Sequence, residues 1–193
     1  MSGYGIDATD EVGKKILGVR EQLYELKQQL TKLERSRPPR PVEDYTLTRA
    51  SDGNTVRISE LFGDMRWLVL VHNMGMSCPY CTMWADGFNG LYEMFTKRFA
   101  FFLVSPDTPE QQRKGAAERN WRVPMLSASG HEFTRALGFP TELDGQLMYA
   151  PGASTFIRDE AGKPLLMNQV PFGPGDDFNP VFAFAQLFPH EEI

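Results

Sequence analysis

The sequence predicts an α/β protein: a three-layer α/β/α sandwich with an N-terminal β-hairpin extension and a long coiled-coil-like helix ahead of it. Three observations carry that prediction. Residues 68–71, "LVLV", and residues 99–105, "FAFFLVS", are continuous apolar runs, which suits strands buried on both faces better than half-exposed ones. Helical segments follow each of them, and strands alternating with helices imply a sheet covered on both sides. Before all of these, apolar residues recur in steps of four and three without a miss.

The first element is that periodic stretch. Val12, Ile16, Val19, Leu23, Leu26, Leu30 and Leu33 form the a/d seam of a coiled coil, with Lys14, Arg20, Glu21, Glu25 and Lys27 among the residues between them. Thr9 or Asp10 can cap its start. The Pro38-Pro39-Arg40-Pro41 run must end it, because a proline also drives the residue before it out of the helical region. The seam either packs on its own domain or pairs with a second copy, giving a homodimer through residues 12–33. The expected organisation is therefore a helix and proline-rich spacer over 1–41 and one domain over 42–193.

"DYTLTRASDGNTVRISELFGD" opens that domain as a strand, an Asp52-Gly53 turn, a second strand and a short helix around Ser59 to Phe62. The strand of "RWLVLVHNMG" (66–75) comes next. After it, "WADGFNGLYEMFTKR" reads as helix despite Gly87 and Gly90, whose cost to a helix points to close packing against a neighbour. The 99–105 strand ends at Pro106. Thr108-Pro109-Glu110 then opens a helix, with Thr as cap and Pro at the first position. "VPMLSAS" is a further strand and "GHEFTRALGF" a short helix. A polar stretch leads to "STFIRDEAGKPLLMNQV", a hairpin turning around Glu160 to Gly162, and "DDFNPVFAFAQLF" is a closing helix with Asp177 or Asn179 at its cap.

Composition removes several function classes. A net charge of −5 and a pI near 5.3 do not suit a nucleic-acid surface, which needs a basic stripe. No apolar run reaches the length of a membrane span. "MSGYGIDATDEVGKK" lacks the basic and apolar regions of a secretory signal, so the cytoplasm is the expected compartment, where thiols stay reduced unless they do redox chemistry.

The chain has two cysteines, and both lie in one window, "MGMSCPYCTMWADGFNG" at 74–90. Cys78-Pro79-Tyr80-Cys81 is a working dithiol, half of a metal site, or a pair of small buried residues. Cys-x-x-Cys after a buried strand at a helix start, beyond the carboxyl end of the sheet, reads as redox first. Structural zinc wants four ligands, and His72 with two thiolates falls short. His131 and His190 lie far along the chain with no ligand spacing. Neither a metal nor another cofactor is expected.

A strand, Cys-x-x-Cys on the first turn of the next helix, then βαβ and a terminal ββα resembles the thioredoxin pattern. "DGNTVRISELFGD" looks like the entry to peroxiredoxins and membrane-tethered thioredoxins, and "FFLVSPDTPEQQRKGAAE" like their next βα unit. More narrowly, "CPYCTMWADGFNG" resembles the bacterial family called domain of unknown function 899, classed as thioredoxin-like. The resemblance covers about positions 10 to 160.

That resemblance implies the roles. Cys78, at a helix N-terminus where free N–H groups converge, is the nucleophile. Cys81, one turn deeper, resolves the mixed disulfide. Thioredoxins carry a buried acid six residues before the first cysteine, and here that position is His72. It either assists proton transfer from Cys81 or only satisfies a backbone carbonyl. Pro79 fixes the first turn, Pro79 and Tyr80 being the pair found in glutaredoxins. Tyr80, Trp84, Ala153 and Ser154 join Pro79 as candidate substrate contacts. Asp86, Phe88 and Asn89 read as capping and packing residues. Two features depart from the pattern. The cis-proline that faces the dithiol in thioredoxins aligns with Ala153, or with Ser154 after a one-residue shift, while Pro151 comes too early. The peroxiredoxin signature Pro-x-x-x-Thr-x-x-Cys would need Thr at Cys78, and both its proline and its threonine are absent. The expected function is a thiol–disulfide oxidoreductase acting on a protein or small-molecule disulfide or thiol, with no nucleic acid and no membrane. The alternatives are a thiol peroxidase, or a non-catalytic thioredoxin-like binding module that dimerises through its N-terminal helix.

Overall fold

The computed structural model of the protein describes residues 9–143 and 145–188. Contacts divide the chain into two compact units, Met1–Pro38 and Pro39–Ile193. The first contains helix α1, Glu11–Ser36, and Asp10 is its cap, accepting the Gly13 N–H at 2.5 Å. All seven residues of the a/d seam are exposed, from 45% at Ile16 to 68% at Leu33.

The second unit begins with a short strand β1 (Arg40–Pro41), followed by β2 (Thr46–Arg49), β3 (Thr55–Arg57) and helix α2 (Ile58–Leu61). Strand β4 (Trp67–His72) leads into helix α3 (Pro79–Phe95), β5 (Ala100–Ser105) into α4 (Pro109–Glu118), and β6 (Met125–Ser127) into α5 (Phe133–Leu137). A hairpin of β7 (Phe139–Leu143) and β8 (Gln146–Ala150) precedes the second hairpin, β9 (Gly152–Arg158) and β10 (Pro164–Pro171), and α6 (Pro180–Ala185) follows. Eight strands form one sheet in the order β1-β10-β9-β4-β5-β6-β2-β3. Strands β4, β5 and β6 are parallel, and β9 runs antiparallel to β4 with Val71 opposite Ala153 and His72 opposite Gly152.

Two apolar clusters cover the two faces. Leu68, Leu70, Val104, Leu126 and Phe156 pack with Leu61 of α2 and with Phe133 and Leu137 of α5. Val71, Phe101, Leu103, Met125 and Ala153 pack with Trp84, Ala85 and Phe88 of α3 and with Phe182 of α6. The α/β/α layering is therefore as the alternation of elements predicts. At about 0.8 kcal/mol per buried methylene, these clusters supply the main driving force of the fold.

Three local expectations are corrected. Arg40 and Pro41, placed in the spacer, pair with Leu166 and Leu165 at the sheet edge, where a proline's missing donor costs nothing. The polar stretch before residue 151 holds the β7–β8 hairpin, which pairs as a separate sheet with Phe139 opposite Ala150. Gly87 and Gly90 do not mark close packing: a Cβ built at either meets no atom within 4 Å.

Candidate active site

Strand β4 delivers the chain to the dithiol. Its pairing with β5 continues past the strand end, as Asn73 N–H donates to Val104 C=O at 2.7 Å. Residues 74–77 then turn the chain into α3. Cys78 is the cap of α3, in extended backbone, and Pro79 takes the first helical position, where an N–H has no intrahelical partner. The Cys78 N–H donates to Gly75 C=O at 3.1 Å, and the Cys78 Sγ accepts the Cys81 N–H at 3.3 Å. This sulfur thus takes the place that a Ser or Asp oxygen takes at an ordinary helix start. It is half-buried, and both cysteines are free thiols.

Cys81 is fully buried, and its Sγ accepts the Met74 N–H at 3.3 Å. Burial pushes its pKa up to about 12, with a further push from its hydrogen bond to Cys78. At neutral pH, Cys81 is therefore a protonated thiol behind a more accessible sulfur. The two cysteines are unlike in the way that an attacking and a resolving thiol must be.

His72 is not placed as the thioredoxin resemblance implies. Alternation along β4 puts Val71 on the face covered by α3 and His72 on the opposite face. There its ring stacks on Phe133 at 5.2 Å and meets Phe139 edge-on at 5.3 Å. Its Nε2 is 2.8 Å from Ser154 Oγ, which also accepts from Gln169 Nε2 at 3.1 Å. Burial lowers the His72 pKa to about 3, so the ring is neutral. No hydrogen bond joins it to Cys81 among the described residues, and the sheet separates it from α3. The carboxylate it was compared with has a counterpart here only in sequence position.

The two residues aligned with the missing proline part company in the same way. Ala153 packs on the α3 face, whereas Ser154 points to the His72 face and is fully buried. Tyr80 is 53% exposed beside Cys78, and its ring stacks on Phe182 at 6.4 Å. Trp84 is buried against Phe172 and Phe182, with its Nε1 3.5 Å from Asp176 Oδ1. Asp86 accepts the Trp121 Nε1–H at 2.7 Å and pairs with Arg119, while Asn89 accepts the Arg122 N–H. These two residues tie α3 to the loop after α4, and Phe88 is core. His131 lies 3.1 Å from Thr48 Oγ1, and His190 lies outside the described residues. No group of three or more His, Cys, Asp or Glu is arranged to hold a metal ion among the described residues.

Residues 171–188 were not expected near the dithiol. They form an arm over the start of α3, begun by Phe172 N–H donating to Pro151 C=O and braced by Asp176, which accepts from Gly173, Phe178 and Asn179 N–H groups. The Asp-Asp-Phe-Asn-Pro run signalled a helix start, but nothing local could link it to Trp84, 92 positions earlier.

Residues 39–163 match the family model described as AhpC/TSA family. Among solved structures, peroxidoxin BcpB from Mycobacterium tuberculosis is similar at 26% identity, covering 70% of this chain and 85% of its own, with a TM-score of 0.52. Peroxiredoxin Q from Xanthomonas campestris is similar at 20% identity over 74% of this chain and 89% of its own, TM-score 0.55. Reduced Prx3 from Vibrio vulnificus, solved with hydrogen peroxide, is similar at 19% identity over 77% and 97%, TM-score 0.55. No curated protein matches the chain.

Proposed function

Since the chain belongs to the AhpC/TSA family, within the thioredoxin-like and peroxiredoxin superfamily, we propose that it is a thiol–disulfide oxidoreductase working through Cys78 and Cys81. The observation that supports this most directly is the asymmetry of the two sulfurs. Cys78 sits half-buried at the cap of α3 with a donor aimed at it, and Cys81 lies buried and protonated beneath.

The Cys78 thiolate attacks one sulfur of a substrate disulfide, whose S–S bond breaks and releases the first thiolate. Cys81 gives up its proton and attacks the Cys78 sulfur of the mixed disulfide, releasing the second. The substrate gains two electrons and the dithiol becomes the Cys78–Cys81 disulfide. His72 has no direct path to the Cys81 proton, so that proton leaves on the departing thiolate or to solvent. Pro79 and Tyr80 follow the nucleophile at the surface and are the groups a substrate would meet, while Trp84 and Ala153 pack in the core under α3. Ser154 is turned to the other face of the sheet, where it is hydrogen-bonded to His72 and takes no part in that surface.

The test is a redox titration in glutathione and dithiothreitol buffers between about −120 and −300 mV, together with reduction of a model protein disulfide. A two-electron Cys78–Cys81 transition and loss of turnover in Cys78→Ser are the expected results. Full turnover in Cys78→Ser overturns the proposal, and absence of any transition favours a non-catalytic binding module.

A thiol peroxidase is the second reading, favoured by the family and by the neighbour solved with hydrogen peroxide. Against it stand Cys78 where the peroxiredoxin signature has Thr, and the lack of its proline. Peroxide consumption that survives when disulfide reduction is blocked would favour it. The narrower assignment to the domain of unknown function 899 family rests on "CPYCTMWADGFNG", and the cytoplasm remains the proposed compartment. Pairing of two copies through residues 12–33 is part of the same proposal, because the apolar seam lies exposed.

A further inference from the structure

The loop that turns β4 into α3 is held from outside, and one side chain gathers most of the hold. Asp107 lies in the turn after β5, distant in sequence from the cysteines. Its Oδ2 accepts the Met76 N–H at 2.9 Å and the Ser105 O–H at 2.7 Å. Ser105 in turn accepts from Gln112 Nε2 at 2.9 Å, and the fully buried Gln112 also donates to Leu126 C=O. The Asp107 C=O accepts the Ser127 hydroxyl at 2.5 Å. The carboxylate is therefore rooted in α4 and β6 before it reaches the loop.

The loop is shaped to receive it. Gly75 has φ +131°, and a Cβ there would stand 3.1 Å from Asp107 Oδ1. Met76 lies on α4 at Gly115, where a Cβ would meet its Cε at 2.2 Å. The same turn makes the contacts that set the dithiol: the Met74 N–H donates to Cys81 Sγ, and the Gly75 C=O accepts the Cys78 N–H.

We infer that Asp107 is a positioning residue of the dithiol, acting through the Met76 N–H to hold the 74–77 turn so that the start of α3 presents its N–H groups to Cys78. The inference rests on the oxidoreductase reading but is read out separately from it. Both contacts end on one oxygen, so an Asn side chain can make both and lose only the charge.

The experiment compares wild type, Asp107→Asn, Asp107→Ala and Ser105→Ala, each checked for native melting. It measures the pH profile of iodoacetamide alkylation at Cys78, which needs no substrate turnover. If the turn is held by hydrogen bonding, Asp107→Ala loses alkylation rate at pH 7 about tenfold, and its profile moves to higher pH. Ser105→Ala shows a smaller loss, and Asp107→Asn restores the wild-type profile. Equal acceleration in the Asn and Ala variants would assign Asp107 a purely electrostatic effect and overturn the inference. An unchanged profile in Asp107→Ala would do the same, whatever Cys78→Ser does to turnover. Should Asp107→Ala fail to fold, Asp107→Asn against Ser105→Ala decides: a normal Ser105→Ala profile overturns the inference, and a slowed one supports it.

Discussion

Burial moves two ionisable side chains in opposite senses. Cys81 is held as a thiol and His72 as a neutral imidazole, because the charged form of each is the one desolvation penalises. For His72, the folded pKa of about 3 lies below its ordinary 6.5, so the folded state binds fewer protons in between. Its contribution to stability is complete above pH 6.5 and is lost as pH falls toward 3, by about 1.4 kcal/mol per unit. Chemical unfolding of wild type and His72→Gln at pH 7, 6 and 5 checks this. The gap between the two stability curves changes by roughly 1–2 kcal/mol across that range, wild type being the more acid-sensitive. A constant gap would mean that the imidazole titrates in the fold as it does in the unfolded chain. The position of His72 was legible in the sequence, but its direction was not. One step along a strand turns a side chain to the other face, and only the pairing of His72 opposite Gly152 and the stack on Phe133 show which face that is.

Helix α3 illustrates the same division at the level of the element. Its existence, its proline at the first position and its cysteine cap follow from local spacing. The reason for its two glycines did not, since both sit exposed with open space where a Cβ would go. Gly87→Ala and Gly90→Ala should each therefore raise stability, by about 0.5–1 kcal/mol, the helix-propensity difference alone. Thermal and urea unfolding measure it, and a loss of stability would reveal packing that the structure does not contain. The β7–β8 hairpin was missed because its exposed strands lack the apolar alternation that marks a half-buried strand. What anchors it is Phe139 against His72, a contact made only after folding. The arm over α3 was missed for the same reason, its aromatic side chains reading as core without saying which core.

At the scale of the whole molecule, the helix α1 seam is the apolar feature that the sequence singled out outside the sheet domain. Its residues repeat at the a/d spacing of a coiled coil and are exposed, and a second copy is the occupant proposed for it. Sedimentation equilibrium should give a dimer for the wild type and a monomer for Leu23→Glu/Leu30→Glu, since a charge at two core positions cannot be solvated in the pair. A monomeric wild type would remove the dimer from the proposal. By itself, the sequence determined the order of the central strands and helices, the layered sheet and the place of the dithiol at a helix start, because these depend on periodicity, caps and turns within a few residues of one another. Only the tertiary structure decided which groups surround that dithiol. Asp107, Asp176 and Phe182 come from far along the chain to meet Met76, Trp84 and Tyr80 on either side of it, and His72 is turned away from it by strand pairing, which no local pattern records.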